Sequence, residues 1–256
     1  MLDPLVRLWE RAAELWHGTA GLRQALTRQV RRSRGRPLLW TTLYAALVIA
    51  LGYVALDRPL AWWAKAHVTG EAEGFWKTVT TLGLGGIWLV PSGLIWVGLM
   101  LAWRAAPLQE VRARLGRMAW VPGFFFVAVA GSGLLNTLIK VLIGRTRPKM
   151  LFEDGVYSFV PLTHAYATNS FPSGHSQAAF AAMTALTLIF PRYDIAFITV
   201  AVLVTASRVL TSVHFLSDAV MGAWLGAVFT LALHRLLLKR GIDVRVRLER
   251  DRRLAE

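Results

Sequence analysis

Apolar residues in this chain come in long blocks rather than short alternations. Blocks near the roughly 20 residues that cross a bilayer core run from about Leu38 to Leu56, between Lys77 and Arg104, and between Arg117 and Lys140. The last two carry no internal charge. Three shorter blocks follow, from about Ser176 to Phe190, Ile195 to Ser207 and Phe215 to Leu233. The pattern predicts an all-α membrane bundle of six transmembrane helices over residues 38–233, with both termini on one side. Residues 234–256 read as a basic, solvated tail. Before the first span, Leu5, Leu8, Trp9, Ala12, Leu15 and Trp16 repeat at helical spacing, with Arg7, Glu10, Arg11 and Glu14 off that face. Residues 3–30 therefore read as an amphipathic helix opened by Asp3-Pro4, followed by a basic stretch to Pro37. Such a helix either lies in the headgroup plane or packs against the inner ends of the spans. It does not read as a cleavable leader.

Composition agrees with a membrane solvent. The 256 residues are 55% hydrophobic and 17% charged, against about 45–50% and about 25% in soluble domains. The net charge of +14 would suit nucleic acid in a soluble protein. Between apolar blocks it points to anionic membrane lipids instead. The absence of cysteine removes disulfides, thiolate metal sites and a thiol nucleophile. Of the 29 Lys and Arg residues, 21 fall on the side of the termini and 8 on the other. The positive-inside rule then places both termini in the cytoplasm, with 57–77, 140–171 and the 207–214 region outside.

Polar residues at span ends are costly and are functional candidates. Three groups fall on the expected outer side: Lys140 to Pro148, Phe171 to Ser176, and Ser207 to Asp218. Lys140 and Arg147 are seven apart and would share a face if their helix continued. Two cations held together repel unless an anion sits between them. Pro172-Ser173-Gly174 opens the fourth span, where free N–H groups favour phosphate. His214 and Asp218 are four apart, a spacing that sets a carboxylate beside an imidazole on one helix face and fixes its tautomer. Two histidines, three cations and a single aspartate suit metal-free phosphoryl transfer, since magnesium would want more acidic oxygens. Taken alone, each group has an ordinary structural explanation; three on one face do not. His17, His67 and His234 read as surface or interfacial residues, and His164 as an outer-loop residue without a role.

The three groups resemble the signature of the type 2 phosphatidic acid phosphatase superfamily: Lys-x6-Arg-Pro, Pro-Ser-Gly-His and Ser-Arg-x5-His-x3-Asp. Lys140, Arg147 and Pro148, then Pro172 to His175, then Ser207, Arg208, His214 and Asp218 supply every position at the matching spacing. The resemblance spans about residues 80–233 and, with six spans, points to the membrane branch. It implies that His214 attacks phosphorus, Asp218 orients it and His175 protonates the leaving oxygen. Lys140, Arg147 and Arg208 would hold the phosphoryl oxygens with Ser173 and the backbone of Gly174. No cofactor or metal is implied. The expected activity is hydrolysis of a lipid phosphate or pyrophosphate at the periplasmic face of a bacterial inner membrane. Undecaprenyl pyrophosphate, phosphatidylglycerophosphate, phosphatidate and lipid A 1-phosphate all fit. Transfer of the phosphoryl group to a lipid or sugar acceptor is a rival reading, and a non-catalytic lipid-binding or transport protein is another.

Overall fold

The computed structural model describes residues 37–246, and the amphipathic helix expected at 3–30 lies outside them. The chain divides into two units, residues 1–44 and 45–256. Residues 37–44 of the first are helical, and all packing discussed below belongs to the second.

Nine α-helices order the described residues: α1 (Pro37–Leu51), α2 (Asp57–His67), α3 (Gly70–Val79), α4 (Gly85–Ala105), α5 (Gln109–Ile143), α6 (Pro148–Asp154), α7 (Gly174–Ile189), α8 (Asp194–Leu210) and α9 (Leu216–Lys239). No strand occurs among them, only an isolated bridge between Arg145 and Phe159. Among the described residues, five stretches are long and apolar enough to cross a membrane: Leu38–His67, Gly70–Ala105, Gln109–Ile143, Pro191–Leu210 and Leu216–Lys239. The fourth expected span, α7, has 16 residues. At 1.5 Å per residue it covers about 24 Å, short of a core about 30 Å thick.

Helix α7 is short and central. It packs against α5, α8 and α9, and its Ala181, Ala182 and Ala185 are completely buried. Small side chains let backbones approach where lipid offers no hydrophobic drive between helices. The α7–α9 seam depends on two glycines. A Cβ on Gly222 would sit 2.3 Å from Ser173 O, and one on Gly226 would sit 2.3 Å from Gln177 O. Large apolar side chains point outward instead, with Leu94, Leu134 and Ile195 at least 70% exposed. Polar groups such as Ser132, Gln177 and Thr230 lie inside. Gln177 Nε2 donates to Ser132 Oγ at 2.6 Å, tying α7 to α5.

Three stretches differ from the sequence expectation. The segment 104–117, expected as a loop joining the second and third apolar blocks, is mostly helix, because Gln109–Leu115 are mainly good helix formers and extend α5 to 35 residues. The segment 57–77, expected on the outer side, is likewise helical, as α2 and α3. In the expected solvated tail, α9 continues to Lys239 and the chain then folds back: Val244 is fully buried, and Val246 N donates to Ile189 O at 3.0 Å.

Candidate active site

Glycines and short turns bring the three polar groups to one end of the bundle. Helix α5 cannot continue past Ile143: Gly144 has φ +60°, and a Cβ there would lie 1.7 Å from Val160 O. The condition for Lys140 and Arg147 to share a helix face is therefore not met. Lys140 closes α5, while Arg147 follows an extended turn. They meet on one carbonyl, Asn169 O, accepting from Lys140 Nζ at 2.9 Å and from Arg147 Nη2 at 3.2 Å. Arg147 Nε also donates to Tyr166 O at 2.8 Å, and its guanidinium stacks 3.9 Å from the Tyr166 ring centre. Burial is the main influence on Arg147 and lowers its pKa.

Ser173 caps α7 as the sequence suggests, its hydroxyl accepting from Ser176 N at 3.4 Å. Gly174 and the half-buried His175 begin the first turn, within electrostatic range of Arg208, Lys140 and Arg147. Gly83 closes the turn Thr80–Gly83 against His175, where a Cβ would come within 2.8 Å of His175 Cβ. From the same turn, Thr80 Oγ1 accepts from Arg208 Nη1 at 2.7 Å.

His214 and Asp218 do not share a helix. His214 precedes α9, its N–H donating to Arg208 O at 3.1 Å. Asp218 lies in the first turn of α9, where Oδ2 accepts from Phe215 N at 3.0 Å. That carboxylate satisfies a free helix-start donor and puts Oδ2 3.7 Å from His214 Nδ1, too far for a hydrogen bond. Backbone joins the pieces, since Ser173 N donates to Asp218 O at 2.9 Å. His214 is 3% exposed. Burial, assisted by Arg147 and Lys140, pulls its pKa down to about 3 despite the Asp218 carboxylate.

Sequence reasoning missed the groups behind the site. Arg145 is 2% exposed. Its Nη1 donates to Asp218 Oδ1 at 2.5 Å, and its Nη2 to Asp57 Oδ2 at 2.8 Å and Tyr157 OH at 2.7 Å. Burial opposes the Arg145 charge, but the Asp218 and Asp57 carboxylates outweigh it and raise the pKa. Asp57 reaches this network through the π-helical turn Gly52–Leu56, where Gly52 sits against Ser217. Such turns are frequent at functional sites, and no spacing rule would have flagged this one. Ser170 also escaped notice. Its Oγ lies 2.6 Å from Asp218 Oδ2 and 3.3 Å from His214 Nδ1. His164 is exposed.

Among the described residues, Lys140, Arg147 and Arg208 have no carboxylate within ion-pair distance, and Arg208 Nε is buried without a hydrogen-bond partner. No three His, Asp or Glu side chains among them are placed to hold a metal ion. This geometry sets three cations without carboxylate partners beside two imidazoles.

The PAP2 superfamily model matches residues 122–242, which include every one of these motif residues. A lipid A 1-phosphatase of Rhizobium johnstonii is 31% identical over 198 residues, covering 76% of this chain and 80% of the relative. The chain belongs to the PAP2 superfamily. A lipid A 1-phosphatase of Rhizobium etli is 40% identical, covering 76% of this chain and 84% of the relative. The crystal structure of a transmembrane PAP2 type phosphatidylglycerolphosphate phosphatase from Bacillus subtilis is alike in fold. It has a TM-score of 0.57 and 23% identity, and the match covers 79% of this chain and 96% of that one. These PAP2 relatives are named as phosphatases, which are hydrolases.

Proposed function

We propose that this PAP2 protein hydrolyses a phosphomonoester or pyrophosphate of a membrane lipid through a phosphohistidine on His214. The observation carrying this reading is the group of three partly buried cations, Lys140, Arg147 and Arg208, with no carboxylate partner among the described residues. Grouped buried charges of one sign are costly without a counter-ion, and a phosphoryl group supplies one. His214 Nε2 attacks phosphorus as the bond to the lipid oxygen breaks, and His175 gives that oxygen a proton. Water then attacks the phosphohistidine, the P–N bond breaks, and His175 takes back a proton as inorganic phosphate leaves. Lys140, Arg147, Arg208, Ser173 and the Gly174 N–H hold the phosphoryl oxygens, the charge stabilisation on which phosphoryl transfer mainly depends. Asp218 orients His214.

In this reading α7 is a sixth, short span inside the bundle. The 21-to-8 division of basic residues supports cytoplasmic termini and a site open to the periplasm, in a bacterial inner membrane with anionic lipids at its inner surface. Residues 1–37 are an amphipathic segment ahead of the bundle. Lipid A 1-phosphate is the first substrate to test, because two relatives matching 76% of this chain carry that activity in their names. Phosphatidylglycerophosphate, phosphatidate and undecaprenyl pyrophosphate complete the panel. The test is phosphate release by the purified protein in detergent, with acid-quench trapping of labelled enzyme. Labelled wild-type protein and an inactive, unlabelled His214→Ala variant are expected; full activity in His214→Ala overturns the assignment.

A further inference from the structure

We propose that Ser170 is a positioning residue that links Asp218 to His214 and sets the tautomer in which His214 reacts. The proposal rests on His214 being the nucleophile. The direct approach of Asp218 Oδ2 to His214 Nδ1 is 3.7 Å, beyond hydrogen-bond range. Ser170 Oγ bridges the gap at 2.6 Å and 3.3 Å.

Proton counting fixes the direction of both bonds. A hydroxyl has one proton and two lone pairs, and an ionised carboxylate only accepts. The single Ser170 proton therefore goes to Asp218, and a lone pair faces the ring. Nδ1 must then be the protonated nitrogen, which leaves the lone pair on Nε2. Among the described residues, no group hydrogen-bonds Nε2.

The bridge is held on every side. Ser170 is fully buried, and its N–H donates to Arg145 O at 2.9 Å. Asp218 cannot rotate towards the ring, because Phe215 N holds Oδ2 at 3.0 Å and Arg145 Nη1 holds Oδ1 at 2.5 Å. When Nε2 bonds to phosphorus, the ring becomes cationic and its proton stays on Nδ1. Ser170 passes the stabilising field of Asp218 to that proton, and no net proton transfer occurs.

The test uses the full chain in detergent with Ser170→Ala, Ser170→Cys and Ser170→Thr. Threonine keeps the hydroxyl; cysteine keeps the size but bonds weakly. Losing an orienting partner costs on the order of 10-fold or more in rate. Ala and Cys are expected to lower kcat by about that factor, with KM and inhibition by inorganic phosphate unchanged, and Thr to restore most of kcat. Should Ser170→Ala not fold, the Cys and Thr pair carries the comparison. Wild-type kcat in Ser170→Cys, or equal losses in Thr and Cys, overturns the bridge while labelled wild-type enzyme leaves the nucleophile assignment standing. Labelled enzyme persisting in His214→Ala overturns both.

Discussion

Arg145 Nη2 lies 2.8 Å from Asp57 Oδ2, and its Nη1 is bonded to Asp218 in the same buried network. One positive and two negative charges share this interior, so the partners are not equivalent. Removing Asp57 leaves a neutral Arg145–Asp218 pair, whereas removing Arg145 leaves two carboxylates without a counter-charge. Arg145→Met is expected to cost about 3–5 kcal/mol, the range for an orphaned buried charge. Asp57→Asn should cost clearly less, since an amide oxygen can still accept from Ser217 N. Thermal unfolding in detergent compares them, and an equal or reversed order would contradict this balance of charge.

Stability should also depend on pH through His214. Its folded pKa of about 3 lies below the unfolded value of about 6.5, so between those limits the unfolded chain binds more protons. Stability then rises with pH. His214 contributes fully above about pH 6.5 and loses its contribution as pH falls towards 3. Against His214→Gln, the wild-type melting temperature should drop more steeply between pH 6.5 and 4. Parallel curves would sink the prediction.

Chelation is expected to leave activity intact. The proposed cradle meets phosphate charge with Lys140, Arg147, Arg208 and backbone donors. Phosphate release measured with EDTA should match release without it. A loss reversed by magnesium would require a different mechanism.

The two histidines should separate by leaving group. A lipid alkoxide needs a proton, so His175→Ala should cost on the order of 10²-fold or more on lipid phosphate. An aryl phosphate leaves with little help, and the variant should keep much more activity on it while accumulating labelled enzyme. Turnover on both substrates decides this, and matching losses would mean that His175 is not the general acid.

Sequence reading found the motif residues and missed their support for a single reason. Helical periodicity and motif spacing describe neighbours along the chain. Asp57, Thr80, Arg145 and Ser170 act through turns that fold distant segments together. Lys140 and Arg147 illustrate the limit. Their spacing suggested one helix face, but Gly144 ends the helix and Asn169 O brings them together. His214 and Asp218 likewise sit across a helix start rather than along it. The bounds of α7 were legible to within two residues, about Ser176 to Phe190 against Gly174–Ile189. The first and third spans run well past their apolar blocks, as Leu38–His67 and Gln109–Ile143, because helix continues into polar residues, and the return of residues 242–246 had no apolar run to announce it.

Gly222 and Gly226 have one more consequence. They set backbone against backbone where α7 meets α9, so the spacing between the start of α7, which carries His175, and the start of α9, just after His214, is gauged by main-chain atoms. A main-chain gauge does not care which side chains surround it. Side chains around the site, the Tyr166 ring on Arg147 among them, can therefore change while the distance between the two histidine-bearing turns stays the same.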